Sequence, residues 1–147
     1  MAKPTDDIHR FAREAACQCL AKRARLVSRV VTGVYDEALR DSGLTSTQLT
    51  VMLAIESMGN KAYAAALVQA LHMDPSTLSR NLKILERERL IVANRDFGRR
   101  CLLKVTTPGR KALREARPGW IQAQKRLTEM LGEEGVAALL LTSENLD

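Results

Sequence analysis

A mostly α-helical chain carrying one small β-hairpin is what this sequence predicts, on three observations. Phe, Tyr and Trp make up only 3% of its 147 residues, whereas Ala, Leu and Val are plentiful, which favours small-residue helix packing over an aromatic-rich sheet sandwich. Apolar residues return at helical spacing along most of the length. Between Ile91 and Val105 the period changes to that of two short strands. The length suits a single domain, residues 1–147, able to bury a core of its own.

Residues 1–7 read as a loose polar leader. From about Ile8 to Leu39 there is no proline, and Ala16, Leu20, Ala24, Val27, Val31, Val34 and Ala38 form one stripe, the pattern of a single long amphipathic helix. Gly43 ends it. Thr45-Ser46-Thr47-Gln48 is a capping-box pattern with Thr45 as N-cap, opening a helix through Leu49, Met52, Leu53 and Ile55 to Met58. A short Ala-rich helix follows from about Lys61 to Leu71.

Only His72 and Met73 separate that helix from Asp74, a good N-cap, and Pro75, which suits the first helical position. At ~100° per residue, Leu78, Leu82 and Leu85 share one face of the new helix. Ser76, Arg80, Lys83 and Arg87 share the opposite one, with Thr77 and Asn81 at its edges. Two helices joined by so short a turn, the second with a basic stripe, make a helix-turn-helix. The hairpin of Ile91–Arg95 and Cys101–Val105, turning at Asp96-Phe97-Gly98, is its wing. Helix restarts with Thr107 as N-cap and Pro108 at the first position, is kinked at Pro118-Gly119, and gives way after Gly132 to a last apolar helix bearing Val136, Ala137, Leu139, Leu140 and Leu141.

The charge is localised. Between Pro75 and Pro118 twelve basic side chains stand against four acidic ones, a net of +8, whereas the whole chain carries +6. Such an excess suits a polyanion-binding surface, although a basic face can also serve solubility alone. Arg80 is the leading base reader, because a guanidinium can bind guanine at two points, and Lys83 and Arg87 suit phosphates. The terminal helical regions, 8–40 and 107–147, carry more apolar surface than the reading region 45–106 can cover, which predicts a homodimer.

The order of these elements, and several local strings, resemble the MarR (multiple antibiotic resistance regulator) family. The strings are Tyr35-Asp36-Glu37-Ala38-Leu39 before Gly43-Leu44-Thr45 and Gln48; Met73 through Leu82 with Leu85-Glu86; Leu90-Ile91; and Gly98-Arg99-Arg100 with Val105-Thr106 and Gly109. The resemblance implies a winged helix-turn-helix transcription factor, acting as a dimer through its N- and C-terminal helices on a pseudo-palindrome in double-stranded DNA. Residue by residue, it implies Ser76, Thr77, Arg80 and Asn81 in the major groove and Arg99 or Arg100 in the minor groove. The family's wing commonly has Asp where this chain has Gly98; Asp96 is the nearby acidic alternative. It also implies a repressor, released by a small aromatic effector or by thiol oxidation. Trp120, Tyr35 and the Arg residues of the first helix are the candidate effector pocket.

No phosphate-cradling glycine loop, His-Glu-x-x-His motif or Gly-x-Ser-x-Gly elbow is present, and His9 and His72 have no ligand cluster around them; His72, in the turn before the basic helix, reads as a packing or phosphate-contact residue. An enzyme, a resident metal and a cofactor are therefore not expected. No apolar run reaches the ~20 residues of a membrane span, nor does the N-terminus resemble a signal peptide, so a cytoplasmic location is expected. Cys17 and Cys19 bracket the apolar stripe ~200° apart, where a regular helix keeps them from bonding to each other; they are either redox sensors or small packing residues. Cys101, at the start of a wing strand, is read as packing. The competing class is a winged-helix module whose basic face meets an acidic protein.

Overall fold

The computed structural model describes residues 4–95 and 101–145; the wing turn with Arg99 and Arg100 lies outside them. The chain divides into two compact units, Met1–Gly33 and Val34–Asp147. The first holds α1 (Pro4–Gln18) and most of α2 (Leu20–Ala38). The single helix expected over 8–39 is thus two, parted at Cys19. No proline or glycine marks the break. The backbone carbonyls of Ala16 and Cys17 instead accept from Lys22 Nζ and Arg23 Nη2, each at 3.2 Å, so long cationic side chains satisfy the end of α1.

In the second unit the last residues of α2 each do a separate job. Tyr35 packs on the core, Asp36 Oδ1 accepts from the Ser46 backbone at 2.7 Å, and Glu37 pairs with Arg126 at 2.6 Å. Helix α3 (Ser46–Met58) opens on the expected capping box: Thr45 Oγ1 accepts from Gln48 N at 3.2 Å, and Gln48 Oε1 accepts from Thr45 N at 2.9 Å.

Helix α4 spans only Ala64–Ala70. Its expected start near Lys61 fails because Ala62 and Tyr63 are drawn to the hairpin: Leu103 N donates to Ala62 O at 2.9 Å, and Tyr63 bridges Leu102. Helix α5 (Pro75–Arg87) then leads into β1 (Ile91–Arg95), which pairs antiparallel with β2 (Cys101–Val105) from Ile91↔Val105 to Arg95↔Cys101. Leu39, Met52, Ile55, Leu67, Leu78, Leu85, Ile91 and Leu103 meet in one core, so α3, α4, α5 and the hairpin are held by shared apolar burial.

Both helices beside the reading turn end in Schellman motifs. After α4, His72 N bonds Gln69 O and Met73 N bonds Val68 O; after α5, Arg89 N bonds Glu86 O and Leu90 N bonds Leu85 O. The motif needs a left-handed residue, and here His72 (φ +45°) and Arg89 (φ +58°) supply it. For a residue with a Cβ that conformation costs about 1 kcal/mol.

Helix α6 runs from Thr107 to Glu144. Its N-cap is Thr106, one residue before the expected Thr107, and Pro108 is accordingly second. Two adjacent threonines look alike as caps, and packing chooses: the Thr106 hydroxyl lies over the end of α5, 2.7 Å from Arg89 O, while accepting from Gly109 N at 3.0 Å. Helical dihedrals continue through Pro118-Gly119, where a kink was expected; the one non-helical residue is Gly132 (φ +71°, ψ 162°). Gly119 serves a helix crossing instead, since a Cβ there would stand 2.3 Å from Ala38 O. Gly109 is tighter still, with its Cβ position 2.0 Å from Leu90 O and 2.7 Å from Val105 Cγ1. Gly109→Ala is therefore expected to destabilise the protein by about 3 kcal/mol, read as a lower urea midpoint; an unchanged midpoint would show that this junction yields.

Candidate nucleic-acid interface

Two buried leucines and one carboxylate set α5 in place. Leu78 and Leu85 are fully buried and Leu82 partly so, as the apolar face required. Asp74 Oδ1 accepts from Ser76 N (2.9 Å), Thr77 N (3.1 Å) and the Ser76 hydroxyl (2.5 Å). The Ser76 hydroxyl, with the Thr77 amide and Arg80 assisting, holds the Asp74 carboxyl below its usual 3.8.

Ser76, Arg80, Lys83 and Arg87 are exposed together on the opposite side, with Thr77 and Asn81 half-buried at its margins. Among the described residues none of the three cations is in an ion pair. The Arg80 guanidinium lies along the helix, Nε 3.3 Å from Ser76 O. Asn81 is placed differently from its neighbours, because its Nδ2 donates to Thr77 O at 2.9 Å and turns the amide toward the backbone. Ser79 was overlooked in the sequence. It is exposed and lies ~60° from Ser76 around the helix, so the angular spacing alone could have found it.

The basic start of α6 contributes less free charge than its composition suggests. Arg110 Nε is 2.7 Å from Glu56, whose carboxylate raises the Arg110 pKa further, and Lys111 lies 3.7 Å from Glu115. Arg114 and Arg117 have no ion pair among the described residues, and they line a cavity of about 350 Å³ with Leu49, Leu53, Leu113 and Trp120. Trp120 was expected at such a cavity; Tyr35 is not in its lining and sits against the core, where burial raises its pKa. Cys17 is exposed in the last turn of α1 and Cys19 is exposed at the break itself, while Cys101 is half-buried and lines a pocket with Leu78, Leu82 and Leu103. No group of three or more metal-ligating side chains occurs among the described residues, and none of their helices is long and apolar enough to cross a membrane.

A capped recognition helix with an unneutralised basic face, seated by a preceding helix and flanked by a hairpin, defines a winged helix-turn-helix DNA-binding protein. Residues 42–100 match the model of the MarR family. The fold matches the Mycobacterium tuberculosis regulator MosR, solved with DNA, at 29% identity and a TM-score of 0.72, over 88% of this chain and 98% of that one. It also matches Escherichia coli MarR, solved in a mutant form with operator DNA (21%, TM-score 0.76, 90% and 96% covered). A third match is BpsR of Bordetella bronchiseptica, whose DNA binding is regulated by 6-hydroxynicotinic acid (19%, 0.77, 88% and 93%). No curated protein matches the sequence. Over residues 42–100 the chain is similar to the MarR family, whose members are DNA-binding transcriptional regulators and not enzymes.

Asp74 gives the interface a pH signature. Its folded pKa is depressed, so its contribution is complete above the unfolded value near 3.8 and is lost as pH falls through the lower folded one. Asp74→Asn should keep a capped α5 at pH 7 and flatten the thermal midpoint below pH 4. A mutant that retains the wild-type acid slope would assign the slope to other carboxylates.

Proposed function

We propose that the chain is a cytoplasmic repressor that binds a pseudo-palindromic operator as a homodimer through α5 and the wing. The observation that carries this reading is the exposed strip of Ser76, Arg80, Lys83 and Arg87, whose three cations are in no ion pair among the described residues, set on a rigidly seated helix. Phosphate contacts would supply affinity and Arg80, with Ser76, Thr77 and Asn81, the base readout; Arg99 and Arg100 are proposed for the minor groove. Dimerisation through 8–40 and 107–147 is supported by apolar side chains left bare on one chain, including Leu20 at 83% exposure and Leu139, Leu140 and Leu141.

Footprinting on the DNA upstream of its own gene, against competitor DNA, tests the reading. Arg80→Ala should weaken the preferred duplex by roughly 1–3 kcal/mol and relax one base step. Lys83→Ala should weaken all duplexes alike and lower the salt slope by about 1. Sequence preference unchanged in Arg80→Ala removes that residue as a reader, and uniformly weak wild-type binding favours the protein-interaction module.

For release, the Trp120 cavity suits a small aromatic carboxylate: leucines for the ring, an indole at the edge, and two guanidiniums, in no ion pair among the described residues, for the anion. The effector of BpsR is an acid of that kind. A thiol route is supported by the exposure of Cys17 and Cys19. Both routes can be read in one release assay on the protein–duplex complex. 6-Hydroxynicotinate should quench Trp120 and release DNA, with affinity about tenfold lower in Arg114→Ala/Arg117→Ala. Hydroperoxide should release the wild type and not Cys17→Ser/Cys19→Ser. Release by peroxide in the double mutant excludes these thiols, and unaltered ligand affinity in the arginine mutant excludes the cavity.

A further inference from the structure

Three other positive-φ positions among the described residues, Gly43, Gly59 and Gly132, are glycines. The two that border α5 are not: they are His72 and Arg89, both exposed. Each is the left-handed residue of a Schellman motif, and the residue after it, Met73 or Leu90, is anchored in the core, so the turn cannot relax to another conformation without freeing that anchor. A glycine would meet the backbone requirement without strain. At both ends of one helix, and only there among the described residues, the chain keeps a side chain that can donate hydrogen bonds to an anion at a position disfavoured for any side chain.

We propose that His72 and Arg89 are DNA-backbone contacts, extending the strip on α5 past both of its ends and gripping phosphates on either side of the groove it enters. The proposal rests on the DNA-binding reading and adds two residues that neither the helical periodicity nor the basic stripe includes. Strained backbone persists where surrounding structure over-determines it, and it concentrates at binding sites. A purely local account exists for each residue, because a donor side chain near a helix C-terminus can hydrogen-bond the last carbonyls there. That account makes the opposite prediction for stability, since removing such a donor should then weaken the fold.

The experiment compares His72→Asn and Arg89→Asn with wild type, asparagine being a residue that enters the left-handed region readily. Thermal midpoints are measured without DNA. Binding to a duplex selected by the wild type from a random pool, and to an unselected duplex of equal length, is followed by fluorescence anisotropy from 50 to 200 mM KCl. Each variant is expected to be at least as stable as wild type and to bind both duplexes more weakly. For Arg89→Asn the salt slope should fall by about 0.9, the loss of one phosphate contact, with the preference between duplexes retained. Wild-type affinity and slope in both variants overturn the proposal, as does a lower midpoint with unchanged binding, which assigns both residues to helix ends. If the proposal alone is wrong, Arg80→Ala still relaxes sequence preference while these variants bind like wild type. If the wild type itself binds neither duplex, the DNA reading fails as well.

Discussion

The one-sided burial of α5 is the constraint on which the reading region depends. Leu78 and Leu85 enter the same core as Met52 and Ile55 of α3, Leu67 of α4 and Leu103 of β2, so the helix cannot rotate without exposing leucines that are wholly buried. Burying each contributes on the order of 2 kcal/mol. Rotation being forbidden, the opposite side is always presented, and Ser76, Arg80, Lys83 and Arg87 stand out as one surface. Asp74 adds axial register, since its three hydrogen bonds fix the first turn from which those side chains project.

The same core explains how the parts beside α5 are coupled to it. Thr106 joins the end of α5 to the start of α6 by donating to Arg89 O while capping its own helix, and Gly109 lets that helix approach Leu90 closely. Ten residues further on, Gly119 lets α6 cross the end of α2 at Ala38. Arg114 and Arg117 lie between these two contacts, in the stretch that lines the Trp120 cavity. An effector seated there would press on a stretch of α6 flanked on either side by close backbone contact, one of the two being the junction with α5. Coupling of this kind needs no path of side chains, only a rigid element shared by two sites.

Charge counting along the sequence overstated the surface available to DNA. Arg110 and Lys111 belong to the basic segment, yet each meets a carboxylate, Glu56 fifty-four residues away and Glu115 one turn on. The second partner was visible as an i,i+4 pair. The first was not, because nothing local to Arg110 announces a residue on α3. The α1–α2 break has the same origin: its carbonyls are satisfied by Lys22 and Arg23, residues that read from sequence as ordinary members of a polar face. Asn81 is a smaller case, its amide turned to the Thr77 carbonyl.

What this sequence determined by itself is what periodicity and local chemistry can specify. The capping box at Thr45 and Gln48, the Asp74-Pro75 start of α5, its leucine face and basic face, and the pairing of Ile91–Arg95 with Cys101–Val105 all follow from side chains a few residues apart. Tertiary structure decided the rest, wherever local options were nearly equal in energy or the deciding partner was distant. Thr106 rather than Thr107 caps α6 because only Thr106 reaches Arg89 O. Ala62 and Tyr63 are extended because β2 offers them hydrogen bonds. Pro118-Gly119 stays helical, with Gly119 set against Ala38, while the helix breaks at Gly132, where nothing lies within 4 Å of a Cβ position. His72 and Arg89 are left-handed because Met73 and Leu90, one residue later, must turn back into a core assembled from four other elements.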